Sequence, residues 1–314
     1  MTDTTDTPTP EELVAGLVRL LTVEKRAADV WLGHPQKGGV GRVFGGQVLA
    51  QALMAAQGSI PEGKVAHSLH AYFLRGGREG SGIEYRIARD FDGRSFANRR
   101  VVAAQEDEDG SCTPILNLTA SFQTPEEGLE HCDAPMPDIA GPEDLEPDIE
   151  TRRELAEAMG EKLGEAQRAV MLRPRPIEMR TIGQLHWMSR EPREPRAHTW
   201  FRTAAPLPDD PLLHRAVITY ASDYTLLGTS ALPHGLSWMR GELIGASLDH
   251  AIWFHSPKGR YARADEWLLY ATDAPWSGGG RGFNRGRIFD REGNLVASVA
   301  QEGMMRKRRA KKEA

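Results

Sequence analysis

Val43-Phe44-Gly45-Gly46-Gln47-Val48-Leu49-Ala50-Gln51-Ala52-Leu53-Met54-Ala55-Ala56 is the stretch on which the fold turns. It follows a glycine-rich approach, Lys37-Gly38-Gly39-Val40-Gly41, and reads as a helix. Its many small residues allow close packing on both sides, as in a helix wrapped by a sheet. The chain around it fits that reading. Upstream, Thr9-Pro10-Glu11-Glu12 combines a capping residue, proline at the first helical position and glutamate at the third, so a helix starts there. Leu13, Leu17, Leu20 and Leu21 give it one apolar face, and it ends near Thr22. Downstream, apolar or alternating runs at 65–74, 83–88, 96–104 and 114–122 read as strands, with Asp92-Gly93 and Asp109-Gly110 as hairpin turns. This half is a buried helix followed by an antiparallel meander.

Residues 126–165 carry 14 acidic side chains against three basic ones, with four prolines between 135 and 147. They read as a solvated connector that ends in a helix over about 151–169. The second half then repeats the first. Strand-like runs near 179–182 and 198–203 precede a helical stretch over 212–232, and strands recur at 244–255, 267–273, 283–290 and 295–304. Phe96-Ala97-Asn98-Arg99-Arg100-Val101 matches Phe283-Asn284-Arg285-Gly286-Arg287-Ile288, and His70-Ala71-Tyr72-Phe73 matches His250-Ala251-Ile252-Trp253. One wrapped helix plus an antiparallel sheet, twice in one chain, is an α+β double hotdog: two antiparallel sheets, each wrapping a central helix. The expected organisation is a disordered N-terminus at 1–9, an N-terminal hotdog at 10–125 and an acidic linker with a helix at 126–175. A C-terminal hotdog at 176–306 and a basic tail at 307–314 complete it.

Composition bounds the function. With 39 Lys plus Arg against 44 Asp plus Glu, the net charge of −5 makes the whole molecule a poor electrostatic partner for nucleic acid or anionic lipid. The tail Arg306-Lys307-Arg308-Arg309-Ala310-Lys311-Lys312 is basic but has no aromatic residue to stack a base. Two cysteines, Cys112 and Cys132, suit a reducing compartment. The first residues lack the features of a secretory signal or an Arg-rich transit peptide, no run reaches the length of a membrane span, and the last three residues are not Ser-Lys-Leu. The expectation is a cytoplasmic chain without membrane insertion.

The longer motifs resemble the acyl-CoA thioesterase II family over roughly 12–306. The matching stretches are Val43-Phe44-Gly45-Gly46-Gln47, His67-Ser68-Leu69-His70-Ala71-Tyr72-Phe73-Leu74 and Thr119-Ala120-Ser121-Phe122-Gln123 in the first half. In the second they are Tyr220-Ala221-Ser222-Asp223, Leu248-Asp249-His250-Ala251-Ile252-Trp253-Phe254-His255, Glu266-Trp267-Leu268-Leu269-Tyr270 and Gln301-Glu302-Gly303. The resemblance implies hydrolysis of fatty acyl-CoA to a fatty acid and CoA, without a cofactor, and association into homo-oligomers. It also implies a catalytic Asp at the start of the second central helix, a Thr or Ser on a following strand and a Gln on the last strand. Those roles fall on Asp223, Ser247 and Gln301. In the first half His67 and Ser121 match Ser247 and Gln301, as in a noncatalytic unit.

A thioester is a tractable acyl compound, because its leaving thiol has a pKa of about 8.5 and needs little acid assistance. Asp223 would accept a proton from water that Ser247 and Gln301 position, and amides at a helix start would polarise the carbonyl. Without the resemblance, Asp223 reads as a helix cap and the other two as ordinary strand polar residues. For the phosphates of CoA, Lys258, Arg260, Arg281 and Arg285 flank the site in sequence, with solvated surface as the alternative. No metal site is expected: His-x-x-His on a strand sends its rings to opposite faces. The absence of Gly-x-Ser-x-Gly argues against a serine esterase. A noncatalytic acyl-CoA binding protein and a hotdog hydratase are the other readings, although 223–228 holds no histidine to pair with Asp223.

Overall fold

The computed structural model describes residues 7–36, 41–185, 188, 191–238 and 240–308. The first six residues, the glycine-rich approach at 37–40 and the tail at 309–314 lie outside the described residues.

Helix α1 (Pro10–Leu21) begins where its cap predicts: the Thr9 hydroxyl accepts the Glu12 N–H, and the Glu12 carboxylate accepts the Thr9 N–H. Its buried face is Val14, Leu17, Leu20 and Leu21. Two short strands then form a hairpin that the sequence reading missed, β1 (Val23–Ala27) and β2 (Val30–Gly33). Central helix α2 (Gly45–Gln57) is followed by the four expected strands, β3 (Val65–Phe73), β4 (Ile83–Asp92), β5 (Phe96–Glu106) and β6 (Cys112–Gln123). The second half contains β7 (Ile177–Thr181), β8 (Arg196–Thr203), α5 (Pro211–Ser222) and the short α6 (Leu226–Thr229). Strands β9 (Leu243–Ser247), β10 (Asp249–Phe254), β11 (Leu268–Gly278), β12 (Arg281–Phe289) and β13 (Leu295–Lys307) follow. The run at 244–255, read as one strand, breaks at Leu248 into β9 and β10, and both pieces pair with β13.

The two half-sheets join edge to edge. All pairings are antiparallel, and the order β1-β2-β4-β5-β6-β3-β10-β13-β12-β11-β8-β7 runs continuously through a β3–β10 seam, where Ala71 faces His250 and Leu69 faces Ile252. Joining these two strands removes the exposed edge that each half would otherwise present. The sheet curves around α2 and α5, which pack directly on each other. Glycine is required at this crossing, since a Cβ on Gly46 would lie 2.4 Å from the carbonyl oxygen of Tyr220.

The connector is not a free solvated segment. It contains two helices, α3 (Asp148–Met159) and α4 (Glu165–Leu172), which bury Ala156, Leu163 and Met171 in a small cluster of their own. Ahead of them Met136, Ile139 and Leu145 cover Trp200, Trp267 and Phe289 on the second half-sheet. The indole N–H of Trp200 donates to the Ala140 carbonyl at 3.0 Å, and Arg291 pairs with Glu143. Its apolar residues, sparse but regularly spaced, hold this acidic stretch to the second half.

The repeat also has a different register from the one read in sequence. Inward-facing alternation and strand pairing place Ala71 and Leu118 where the second half has Ile252 and Val299. On that frame Ala120, not Ser121, corresponds to Gln301, and Arg99, paired with Ala120, corresponds to Asn284, paired with Gln301. His67 and Ser121 do bond each other at 2.8 Å, but on the opposite face of the sheet from Ala120. The equivalent position in the first half is filled by the Arg99 guanidinium, fully buried. It donates to Ser59 Oγ at 2.9 Å, to Asp92 at 2.6 Å and to the carbonyls of Ser59, Phe91 and Asn98.

Candidate active site

Asp223 caps the C-terminal end of α5, immediately after Ser222, rather than starting a helix. The helix that starts beside it is α2, from the other half. The Gly46 N–H donates to the Asp223 carboxylate, and a Cβ on Gly45 would lie 2.6 Å from Asp223 Oδ2. The N-cap of α2 is Phe44, which offers no side-chain acceptor, so the carboxylate meets free first-turn amides and the positive end of the helix dipole.

Three residues that are distant in sequence converge. Gln301 Nε2 donates to Asp223 Oδ1 at 2.7 Å and lies 3.1 Å from Ser247 Oγ and 3.2 Å from His250 Nδ1. Two amide hydrogens thus face three acceptors; the short contact to the charged oxygen takes one, and Ser247 and His250 share the other. Gln301 comes from β13, Ser247 from the end of β9 and His250 from β10, each turned inward by strand alternation. His250 continues the network through its Nε2, 2.9 Å from Ser222 Oγ, which bonds the Thr219 carbonyl. Burial drives the His250 pKa down to about 3, so the ring is neutral and its 3.9 Å approach to Asp223 is not an ion pair. With Nδ1 accepting from Gln301, Nε2 carries the proton.

Asp223 is only 6% exposed, and burial raises its pKa to about 6 against the opposing pull of bonds from Gln301, Gly46 and Ser247. It remains ionised at neutral pH yet is far more basic than a surface carboxylate. The carboxylate opens onto a cavity of about 1300 Å³, lined near it by Gly45, Ser247 and Tyr224 and farther out by apolar residues of α1 such as Leu13 and Leu17. Phe44, Tyr220 and Tyr224 form an aromatic cluster beside the carboxylate, with ring centroids 4.8–5.5 Å apart.

The basic residues singled out by sequence proximity are placed elsewhere. Arg281 and Arg285 alternate with Gly282 and Asn284 on β12, so they occupy the sheet face opposite Gln301, where Arg281 pairs with Glu302 and Arg285 with Asp273. Arg260 is exposed and does not line the cavity, and the Lys258 side chain lies outside what is described. The cations that do line it are Arg19, Arg42, Arg173 and Arg175, from α1, the approach to α2 and the segment after α4. Sequence reasoning also missed the cross-half contribution of Gly45 and Gly46 and the neutral His250. The glycine pair was the visible signal, but only the packing of α2 on α5 gives it meaning.

Comparison with known proteins agrees with this architecture. Residues 34–123 match the family model described as the acyl-CoA thioesterase N-terminal domain, and residues 142–305 the C-terminal domain. Acyl-CoA thioesterase 2 of Haemophilus influenzae is 34% identical over 295 residues, covering 94% of this chain and 98% of that protein. Human acyl-coenzyme A thioesterase 8 is 34% identical over 312 residues, covering 95% and 91%. The crystal structure of the acyl-CoA thioesterase II TesB2 from Mycobacterium marinum superposes with a TM-score of 0.71 at 35% identity, covering 92% of this chain and 98% of that one. Fold and relatives together define a hotdog enzyme of the thioester hydrolase class. The chain belongs to the acyl-CoA thioesterase family.

Proposed function

We propose that the chain hydrolyses fatty acyl-CoA to a fatty acid and CoA at Asp223, with Ser247 and Gln301 positioning the water. The observation that carries this is the Gln301 amide, 2.7 Å from Asp223 Oδ1 and 3.1 Å from Ser247 Oγ at the wall of a large, partly apolar cavity. Asp223 accepts a proton from water as it attacks the thioester carbon; the carbonyl oxygen becomes an oxyanion beside the α2 amides, and collapse expels the CoA thiolate. The oxyanion-binding helix start is thus assigned to α2 rather than to the segment around Asp223. The apolar α1 side of the cavity suits an acyl chain, and Arg19, Arg42 and Arg173 suit the phosphates of CoA in place of Lys258, Arg260, Arg281 and Arg285.

Tyr72 and Trp253, on the outer face of the β3–β10 seam, are 61% and 36% exposed, and this surface supports association into a homo-oligomer. Light scattering at micromolar concentration tests it, and a monomeric mass would refute it. Among the described residues no helix is long and apolar enough to cross a membrane, and the exposed thiols of Cys112 and Cys132 suit a reducing compartment such as the cytoplasm. The functional reading is tested by incubation with acyl-CoAs of graded chain length and a thiol reagent. Release of CoA thiol is expected; tight binding without turnover would support the noncatalytic alternative.

A further inference from the structure

A second cavity, of about 250 Å³, adjoins the first. The two share Phe44, Arg175, Tyr224 and Thr225 as lining, so the smaller one opens beside the residues that follow Asp223. Its wall on the connector side is Arg152 of α3, which is 6% exposed. Among the described residues no hydrogen bond reaches the buried Arg152 Nε, and no carboxylate forms an ion pair with the guanidinium. The acid one turn back on the helix, Asp148, acts on both cations by its charge, but its oxygens are bonded to Thr181, accepting the N–H at 2.7 Å and the hydroxyl at 2.8 Å. Arg175 faces the same chamber, its guanidinium 5.6 Å from the Tyr224 ring centre. Burial and the like charge of Arg175 depress the Arg152 pKa to about 10, so Arg152 is still charged at neutral pH.

Two guanidinium groups therefore share a small chamber whose one carboxylate is already bonded. One carboxylate does not balance two guanidinium groups, and a buried guanidinium with no directly bonded acceptor is unfavourable, whereas an oxyanion satisfies several guanidinium hydrogens at once. We propose that Arg152 and Arg175 form a binding site for an oxyanion group of the substrate, a carboxylate or a phosphate, that reaches the chamber through the active-site cavity. This rests on reading that cavity as the acyl-CoA site. Two parts of such a substrate carry the chemistry: a carboxylate borne on the acyl chain, and the 3′-phosphate at the nucleotide end of CoA.

The test compares three esters of equal chain length: a neutral acyl-CoA, its ω-carboxy analogue and the neutral acyl ester of 3′-dephospho-CoA. Each is hydrolysed by wild type and by Arg152→Met, which keeps the volume and removes the charge. If the site takes an acyl carboxylate, the kcat/KM ratio of ω-carboxy to neutral ester falls about threefold or more in the variant. If it takes the 3′-phosphate, the ratio of CoA to dephospho-CoA ester falls instead. Smaller changes in both ratios, including a uniform loss on all three esters, overturn the proposal. Should Arg152→Met fail to fold, Arg175→Met is read by the same ratios. A wild type inactive on every ester counts against the thioesterase reading alone. The site is then decided by whether millimolar inorganic phosphate raises the melting temperature of wild type more than that of the variant; equal shifts refute it.

Discussion

Gly45 and Asp223, in different halves of the chain, lie so close that a methyl group on Gly45 would sit 2.6 Å from Asp223 Oδ2 and 3.0 Å from the Phe73 ring. Alanine at a helical glycine ordinarily stabilises a helix by about 1 kcal/mol. Here it displaces the carboxylate instead. Gly45→Ala is expected to lower kcat on the order of 10²-fold, the effect of moving a reacting group by about an ångström. Steady-state kinetics with one acyl-CoA checks this, and unchanged kcat would show that the carboxylate position is not critical.

Replacing the base separates chemistry from stability. Asp223→Asn keeps the shape and should reduce kcat by roughly 10²–10⁴-fold, about 3–5 kcal/mol of transition-state stabilisation. A folded variant within about threefold of wild type would mean that Asp223 is not the base.

The same carboxyl governs two pH dependences. Because its pKa is raised to about 6, wild-type kcat should decline below that pH as the base protonates. The folded protein binds this proton more tightly than the unfolded chain does, so the ionised form is a burden on stability. That burden is absent below about pH 4, grows through pH 6 and is full above it, at roughly 3 kcal/mol. Asp223→Asn should therefore raise the melting temperature at pH 7, with the gain shrinking toward pH 4. Gln301 can rotate its amide to suit asparagine, since its Oε1 now lacks a partner among the described residues. A lowered melting temperature at pH 7 would contradict the sign.

Ser247→Ala and Gln301→Ala should each cost less than loss of the base, because the remaining groups still orient the water in part. Ser247→Thr keeps the hydroxyl and should retain most activity. Equal losses for Ser247→Ala and Asp223→Asn would move the basic role to a network in which neither acts alone.

Arg99 supplies the opposite contrast. Arg99→Met leaves Ser59 Oγ, the buried Ser59 carbonyl and the partly buried carbonyls of Phe91 and Asn98 without this donor, and should destabilise the fold by roughly 3 kcal/mol or more, read as a fall in melting temperature. Its kcat/KM should stay near wild type below the melting range. Loss of kcat with an unchanged melting temperature would instead place Arg99 itself in the chemistry.

Much of the fold is legible because it depends on local rules. The Thr9 cap, the small residues of α2, the alternation of β3 to β6, β12 and β13, and the apolar run that opens β11 each state their element. The β1–β2 hairpin is not legible: Glu24, Lys25 and Arg26 lie on an exposed edge strand and show no apolar alternation. The repeat register was misread because Phe96 and Phe283 look alike although both are shifted from the residues that share a place, Arg99 and Asn284. Arg281 and Arg285 were drawn in by nearness along β12, which says nothing about sheet face. Asp223, Ser247 and Gln301 were singled out through resemblance alone; their spacing carries no sign that two strands and a helix end bring them together. Arg152 was hidden in a stretch whose net charge suggested only solvent exposure.

The β3–β10 seam makes the proposed site a property of one polypeptide, not of either half. A carboxylate from one repeat and an amide from the other meet intramolecularly, at an effective concentration that tethering typically sets in the millimolar range or above. Dilution cannot separate them, as it can separate two independent chains that share a site between them. Assembly into larger complexes is then free to serve other ends, because the reacting groups are already together in a single molecule.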